Sequence, residues 1–139
     1  MDNKANNFIL DSRLSADCFV LKELELSLLL LMNNSLVPWY ILVPKTMVKE
    51  ISDLPQNEQL ELLKEINLIS NFIKKTYAQV IKLNVAAIGN MVSQMHIHII
   101  GRYPTDYCWP NVVWGNKQKK VYTESEVAEI TEKIGCISN

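Results

Sequence analysis

Gln94-Met95-His96-Ile97-His98-Ile99-Ile100-Gly101-Arg102 decides how the rest of this chain is read. Polar and apolar residues alternate from Gln94 to Ile99, the period of a half-buried β-strand. Side chains two apart on a strand share a face, so Gln94, His96 and His98 are expected to project together. Met95, Ile97 and Ile99 then point into a core. The chain has two histidines, and both are here. Paired imidazoles offer nucleophiles and proton carriers near neutral pH, metal ligands, or plain polar surface.

Working outward, Leu83 to Ile88 reads as the preceding strand and Gly89-Asn90 as a turn. Before it, Leu60, Leu63, Ile66, Ile69, Ile73, Tyr77 and Ile81 recur at spacings of three and four. The spacing predicts a long amphipathic helix from about Pro55 to Ile81 with that stripe against a sheet. Its acidic residues fall early and its basic ones late, as the helix dipole favours. Cys18 to Leu21, Leu26 to Met32 and Trp39 to Val43 read as strands, the last two forming an antiparallel hairpin across Asn33-Asn34-Ser35. Pro44 closes the third. Phe8-Ile9-Leu10 is an apolar anchor, and Asp11-Ser12-Arg13 reads as a turn. Beyond Arg102 the chain is aromatic and proline-broken. Thr123 with Glu126 forms a capping box ahead of a short helix carrying Val127, Ile130 and Ile134, which Gly135 can end. The expected fold is α+β: a five-stranded, mostly antiparallel sheet with one long helix and a short C-terminal helix.

The length of 139 residues suits a single domain, 1–139, with its core at about 8–102 and a C-terminal extension at 103–139. Fourteen basic against fifteen acidic residues give a formal charge of -1, with a pI near 6.1. That balance gives no electrostatic reason to expect nucleic-acid or membrane partners. Residues 1–7 are polar and lack the apolar run of a secretory signal, and Leu26 to Met32 is far short of a membrane span. Cys18, Cys108 and Cys136 are odd in number and widely spread, which fits a reducing, cytoplasmic setting.

The segment from Gly89 to Arg102 resembles the signature of the histidine-triad proteins. Their pattern is Gly, Gln or Asn, a small residue, an aliphatic, any residue, then His-φ-His-φ-His-φ-φ and commonly Arg, where φ is apolar. Gly89-Asn90-Met91-Val92-Ser93 matches the approach and Ile99-Ile100-Gly101-Arg102 the exit. Gln94 stands in the first histidine's place, His96 in the second and His98 in the third. Leu31-Met32-Asn33 with Pro38 to Pro44 resembles the family's nucleotide-binding hairpin, and Trp39 or Tyr40 falls where many relatives carry a further histidine. The tail, with Asp106, Trp109-Pro110 and Val113-Trp114-Gly115, resembles a bacterial subgroup described as diadenosine-tetraphosphate-hydrolase-like.

The resemblance implies a nucleotide hydrolase or nucleotidyl transferase with no added cofactor or metal, a small-molecule nucleotide substrate and a homodimer. It makes His96 the nucleophile on the α-phosphate and gives His98 phosphate binding or leaving-group assistance. Gln94 completes the catalytic set, and Asn33, Asn90 and Ser93 are the nucleotide-binding candidates, Asn33 as ribose contact. A glutamine hydrogen-bonds but carries no proton. If the first position only orients or binds, activity survives; if it must titrate, the protein is a weak enzyme or a non-catalytic nucleotide binder. A metal-binding domain using His96, His98 and Cys108 is the third reading, though no carboxylate or cysteine is closely spaced with the pair. Each candidate also has a plain reading: Asn33 and Asn90 as turn formers, Arg102 as a strand-end cation, Trp39 and Tyr40 as core, Trp109 and Trp114 as packing or dimer contacts. Trp109, Val112, Val113 and Trp114 are many apolar groups for an irregular tail, which adds a reason to expect a covering partner.

Overall fold

The computed structural model describes residues 8–137, so the reading of residues 1–7 lies outside it. The elements run α1 (Ser12–Asp17), β1 (Cys18–Glu23), β2 (Ser27–Met32), β3 (Trp39–Pro44), a 3₁₀ turn at Ile51–Asp53, α2 (Gln56–Thr76), β4 (Lys82–Ala86), β5 (Ile97–Arg102) and α3 (Glu124–Gly135). The sheet order is β1-β2-β3-β5-β4, and every ladder is antiparallel. The expected α+β fold is thus the observed one. The β2–β3 hairpin pairs Ser27 with Pro44 and Leu31 with Tyr40, and β5 lies between β3 and β4.

β3 and β5 are buried along their whole length, which is why their apolar runs show little polar relief. Tyr40, Leu42, Ile97 and Ile99 face a core with Leu62, Ile69, Phe72 and Ile73 of α2 and Ile134 of α3. Trp39, Ile41, Val43 and Ile100 face a second cluster, closed by Leu14 of α1 and Val113 of the tail. Met95 joins the first cluster, so the alternation read in the histidine stretch holds. The regular strand, however, begins only at Ile97. Gly101 shows how closely α2 approaches: a Cβ there would lie 2.7 Å from Val80 Cγ2 and 2.9 Å from Ile73 Cγ2. Only glycine admits that approach.

Several expectations are corrected. α2 ends at Thr76, where the Tyr77 N–H closes on the Ile73 carbonyl, so Ile81 lies beyond it and is exposed. The buried stripe is Leu62, Glu65, Ile69, Phe72 and Ile73; Leu60 and Leu63 are 61% and 54% exposed. The three-and-four pattern fitted two rotations of the helix at its N-terminal end, and the alternative one is used. Glu65 takes a core position because its Oε2 accepts the Leu26 N–H at 2.8 Å. Asp11-Ser12-Arg13 is not a turn but the start of α1, with the Asp11 carboxylate accepting the Arg13 N–H. The capping box at Thr123–Glu126 is present as read.

The tail is covered by this chain. Val113 is buried, Trp109 and Trp114 are partly covered, and Val112 alone of the four is classed as exposed, at 56%. The added reason for a covering partner is weakened accordingly.

Arg102 is more than a strand-end cation. Its guanidinium is 2% exposed and pairs with both oxygens of Asp106, at 2.7 Å and 3.1 Å. It also donates to Asn84 Oδ1 and to the Asn111 carbonyl, each at 2.8 Å. Asp106 in turn accepts the N–H groups of Tyr103, Cys108 and Trp109. This knot fixes the irregular tail to β5.

Candidate active site

β5 holds His98 between Ile41 of β3 and Ala86 of β4. His96 sits two residues earlier, on the same face, and the two rings meet edge to face with centroids 5.0 Å apart. Both are nearly buried, at 7% and 6% exposure. Burial of His98 without a charge partner favours its neutral imidazole.

Their tautomers follow from their partners. His96 Nδ1 lies 2.7 Å from the Gln94 carbonyl oxygen. A carbonyl only accepts, so Nδ1 carries the hydrogen and Nε2 keeps its lone pair. His98 Nδ1 lies 3.0 Å from Trp39 Nε1. An indole N–H only donates, so here Nδ1 holds the lone pair and Nε2 carries the hydrogen. Neighbouring rings thus present opposite groups, an acceptor on His96 and a donor on His98. Desolvation first, and the His96 ring second, push the His98 pKa down to about 4. Trp114 completes the surroundings of His98, edge-on at 5.3 Å.

A cleft of about 210 Å³ opens beside His96, lined by Gly89, Ser93, Lys49 and Ser52 among others. Gly89 has φ of +65°, a backbone position suited to glycine at the turn into this loop. Lys49 is exposed.

The sequence candidates do not all converge. Ser93 lines the cleft with His96, and Asn90 is exposed on the same loop. Asn33 is engaged elsewhere: its Oδ1 accepts the Tyr122 N–H at 3.0 Å, and its neighbours Asn34 and Ser35 bond to residues 118–120. Gln94 spends its amide on the N-terminal segment. Its Nε2 donates to the Ile9 carbonyl and its Oε1 accepts the Asp11 N–H, each at 2.8 Å. Trp39 is buried in the second core cluster, as its plain reading has it, and its indole also donates to His98. Trp39 lies diagonal to His98 across β3 and β5, a long-range pairing that no local pattern in the sequence signals.

For metal binding, the described residues contain no group of three or more His, Cys, Asp or Glu able to hold an ion. Cys108 lies at the Arg102 knot, its Sγ 3.6 Å from Nη2.

The HIT domain family model matches residues 13–105. A histidine triad protein from Sinorhizobium meliloti 1021 has a solved structure that superposes with a TM-score of 0.90 at 36% identity, covering 94% of this chain and 97% of that one. One from Marinobacter aquaeolei VT8 gives 0.87 at 42% identity, covering 91% and 93%. One from Bradyrhizobium japonicum gives 0.87 at 36%, covering 92% and 96%. No curated protein matches the chain.

Proposed function

This chain belongs to the histidine triad family, and on that premise we propose that it is a nucleotide hydrolase or nucleotidyl transferase acting through His96. The observation that carries this reading is the pair of opposed tautomers. His96 Nε2, with its lone pair free and Nδ1–H held by the Gln94 carbonyl, is a competent nucleophile at neutral pH. It attacks the α-phosphorus, the bond from phosphorus to the leaving group breaks, and the leaving group departs with its electron pair. Water, or another acceptor, then attacks the nucleotidyl-histidine, gives up a proton and restores Nε2. The Gln94 carbonyl is well placed to stabilise the positive charge that the phosphorylated ring carries through its Nδ1–H.

His98 has a narrower role than leaving-group acid. With a pKa pushed down to about 4 it is neutral at pH 7, and a neutral imidazole N–H is a hydrogen-bond donor rather than a proton source. Its Nε2–H serves a phosphate oxygen, together with Ser93 and the N–H groups of the loop from Gly89. Asn90 belongs to the same loop. Asn33 accepts the Tyr122 N–H through its Oδ1.

The substrate class is a nucleoside phosphoramidate or a dinucleoside polyphosphate such as diadenosine tetraphosphate. A cytoplasmic setting fits the three free cysteines. A homodimer is part of the same reading, since β4 is an open sheet edge with Ile81 and Val85 exposed beside it. The second reading, a nucleotide binder without turnover, draws on Gln94, whose side chain is consumed elsewhere and supplies no proton carrier.

The test is His96→Asn, assayed on adenosine 5′-phosphoramidate and a dinucleoside polyphosphate. Turnover should vanish while nucleotide affinity stays within about tenfold, roughly 1.4 kcal/mol. Acid quench and mass spectrometry should place a nucleotidyl adduct on His96. An adduct elsewhere, or undiminished turnover in the variant, ends the mechanism. Binding without turnover in the wild-type protein selects the second reading.

A further inference from the structure

Three contacts tie residues 9–13 to the loop before β5. Gln94 takes the Ile9 carbonyl and the Asp11 N–H with the two ends of its amide, each at 2.8 Å. Arg13 Nη1 donates to the Met91 carbonyl at 2.8 Å. The amide behaves as a short piece of strand ladder, satisfying one backbone acceptor and one donor at once. A histidine in this position has no such two-ended amide. The loop so tied runs from Gly89, which with Ser93 walls the cleft at His96.

The segment brings a cation to the same loop, at the Met91 carbonyl. Arg13 meets Asp11 only at 3.3 Å and 3.4 Å, and its side chain is 59% exposed. An exposed pair at that length adds little, so its guanidinium is free to exchange the carboxylate for a better anion.

We propose that Gln94 is a positioning residue that docks residues 9–13 against the His96 loop, and that Arg13, so placed, takes the phosphate beyond the α-phosphate of a nucleoside polyphosphate. The inference rests on the reading of His96 as the α-phosphate site. It narrows that reading to substrates whose leaving group is itself a phosphate, and it replaces the expectation that the first triad position only lacks a proton carrier. Phosphate suits an arginine because two N–H groups can meet two oxygens.

The experiment is calorimetric titration of AMP and ATP, without divalent cations, into the wild-type chain, Arg13→Ala, Arg13→Lys and Gln94→Ala. The wild type should bind ATP more tightly than AMP. Arg13→Ala and Gln94→Ala should each weaken ATP by about tenfold or more while AMP stays within about threefold, and Arg13→Lys should keep most of the ATP preference. Equal losses for both nucleotides, or an unchanged ATP affinity in Arg13→Ala, overturns the proposal. So does a wild type that binds AMP with no preference for ATP, and in that case the His96 reading stands. A wild type that binds neither nucleotide removes the His96 reading, and this inference falls with it. Gln94→Glu supplies a second check on the strap: it keeps an acceptor for the Asp11 N–H but sets a carboxylate against the Ile9 carbonyl, and should lose the ATP preference as Gln94→Ala does.

Discussion

The indole N–H of Trp39 donates to Nδ1 of His98 at 3.0 Å, and the two rings lie 5.8 Å apart across neighbouring strands. That bond decides which nitrogen of His98 faces the substrate side. With Nδ1 occupied as an acceptor, the hydrogen sits on Nε2, and the ring presents a donor. His96 presents the reverse through the Gln94 carbonyl. Two identical side chains on one strand thus differ in chemistry because their partners differ.

Trp39→Phe keeps an aromatic ring in the second core cluster and removes the donor. His98 Nδ1 is then a buried acceptor without a partner, at a cost of about 1–3 kcal/mol. The ring is also free to take the other tautomer. The expected result is lower kcat with KM little changed, by less than the ~10²–10³ cost of deleting a transition-state donor outright. Steady-state kinetics beside urea denaturation separates the two effects. A loss of stability with kcat untouched removes Trp39 from the site.

The His98 pKa, about 4 in the folded chain against 6.5 ordinarily, makes a prediction about pH. Between those values the unfolded chain binds the proton and the folded chain does not. Stability therefore rises with pH through this window and is lost as pH falls from 6.5 towards 4. The full loss is on the order of 3 kcal/mol. His98→Gln should flatten the dependence of urea midpoint on pH over that range. A slope identical to wild type rejects the assignment to His98.

The sequence was most informative where one physical pattern had one solution. Alternation from Met95 to Ile99 told the faces apart, and His96 and His98 do share one. The hairpin, the sheet and the capping box at Thr123 followed from similarly local signals. The helix stripe was harder, because the Leu60-to-Leu63 end offered apolar residues on more than one face, and a charged Glu65 on the buried side argued against the rotation actually used. What lay out of reach was long-range. Trp39 meets His98 across 59 positions and Gln94 meets Ile9 across 85. Arg102 looked ordinary because Asp106, its partner, belongs to a tail with no periodicity to read.

Gly101→Ala should destabilise without touching the site. The added methyl would lie 2.7 Å and 2.9 Å from Cγ2 atoms of Val80 and Ile73. Both neighbours are β-branched and stiff, and Ile73 is fully buried. Overpacking of this kind costs about 1–3 kcal/mol. Thermal unfolding should show the loss, and Val80→Ala in the same chain should recover part of it, because it removes the Cγ2 and Cγ1 atoms that crowd the new methyl. Additive losses in the double variant would show that the strain lies elsewhere.

Arg102→Met tests the knot that holds the tail. The Arg102–Asp106 pair is buried, and removing one partner of such a pair costs about 3–5 kcal/mol because a charge is left behind. Replacing both charges by apolar groups often cancels that loss, but not here. Burial alone would raise the Asp106 pKa, yet Arg102 and the N–H groups of Tyr103 and Cys108 hold it below its ordinary value. Trp109 donates to the same carboxylate. Arg102→Met with Asp106→Leu would orphan all three N–H groups, so the double variant should stay destabilised rather than recover. Arg102→Met with Asp106→Asn, which removes the stranded charge and keeps an acceptor, should recover more. Tryptophan fluorescence follows the consequence at the site, since a loosened tail withdraws Trp114 from its place 5.3 Å from His98. Full recovery in the Leu double variant would mean that Asp106 serves Arg102 alone and does not organise the tail.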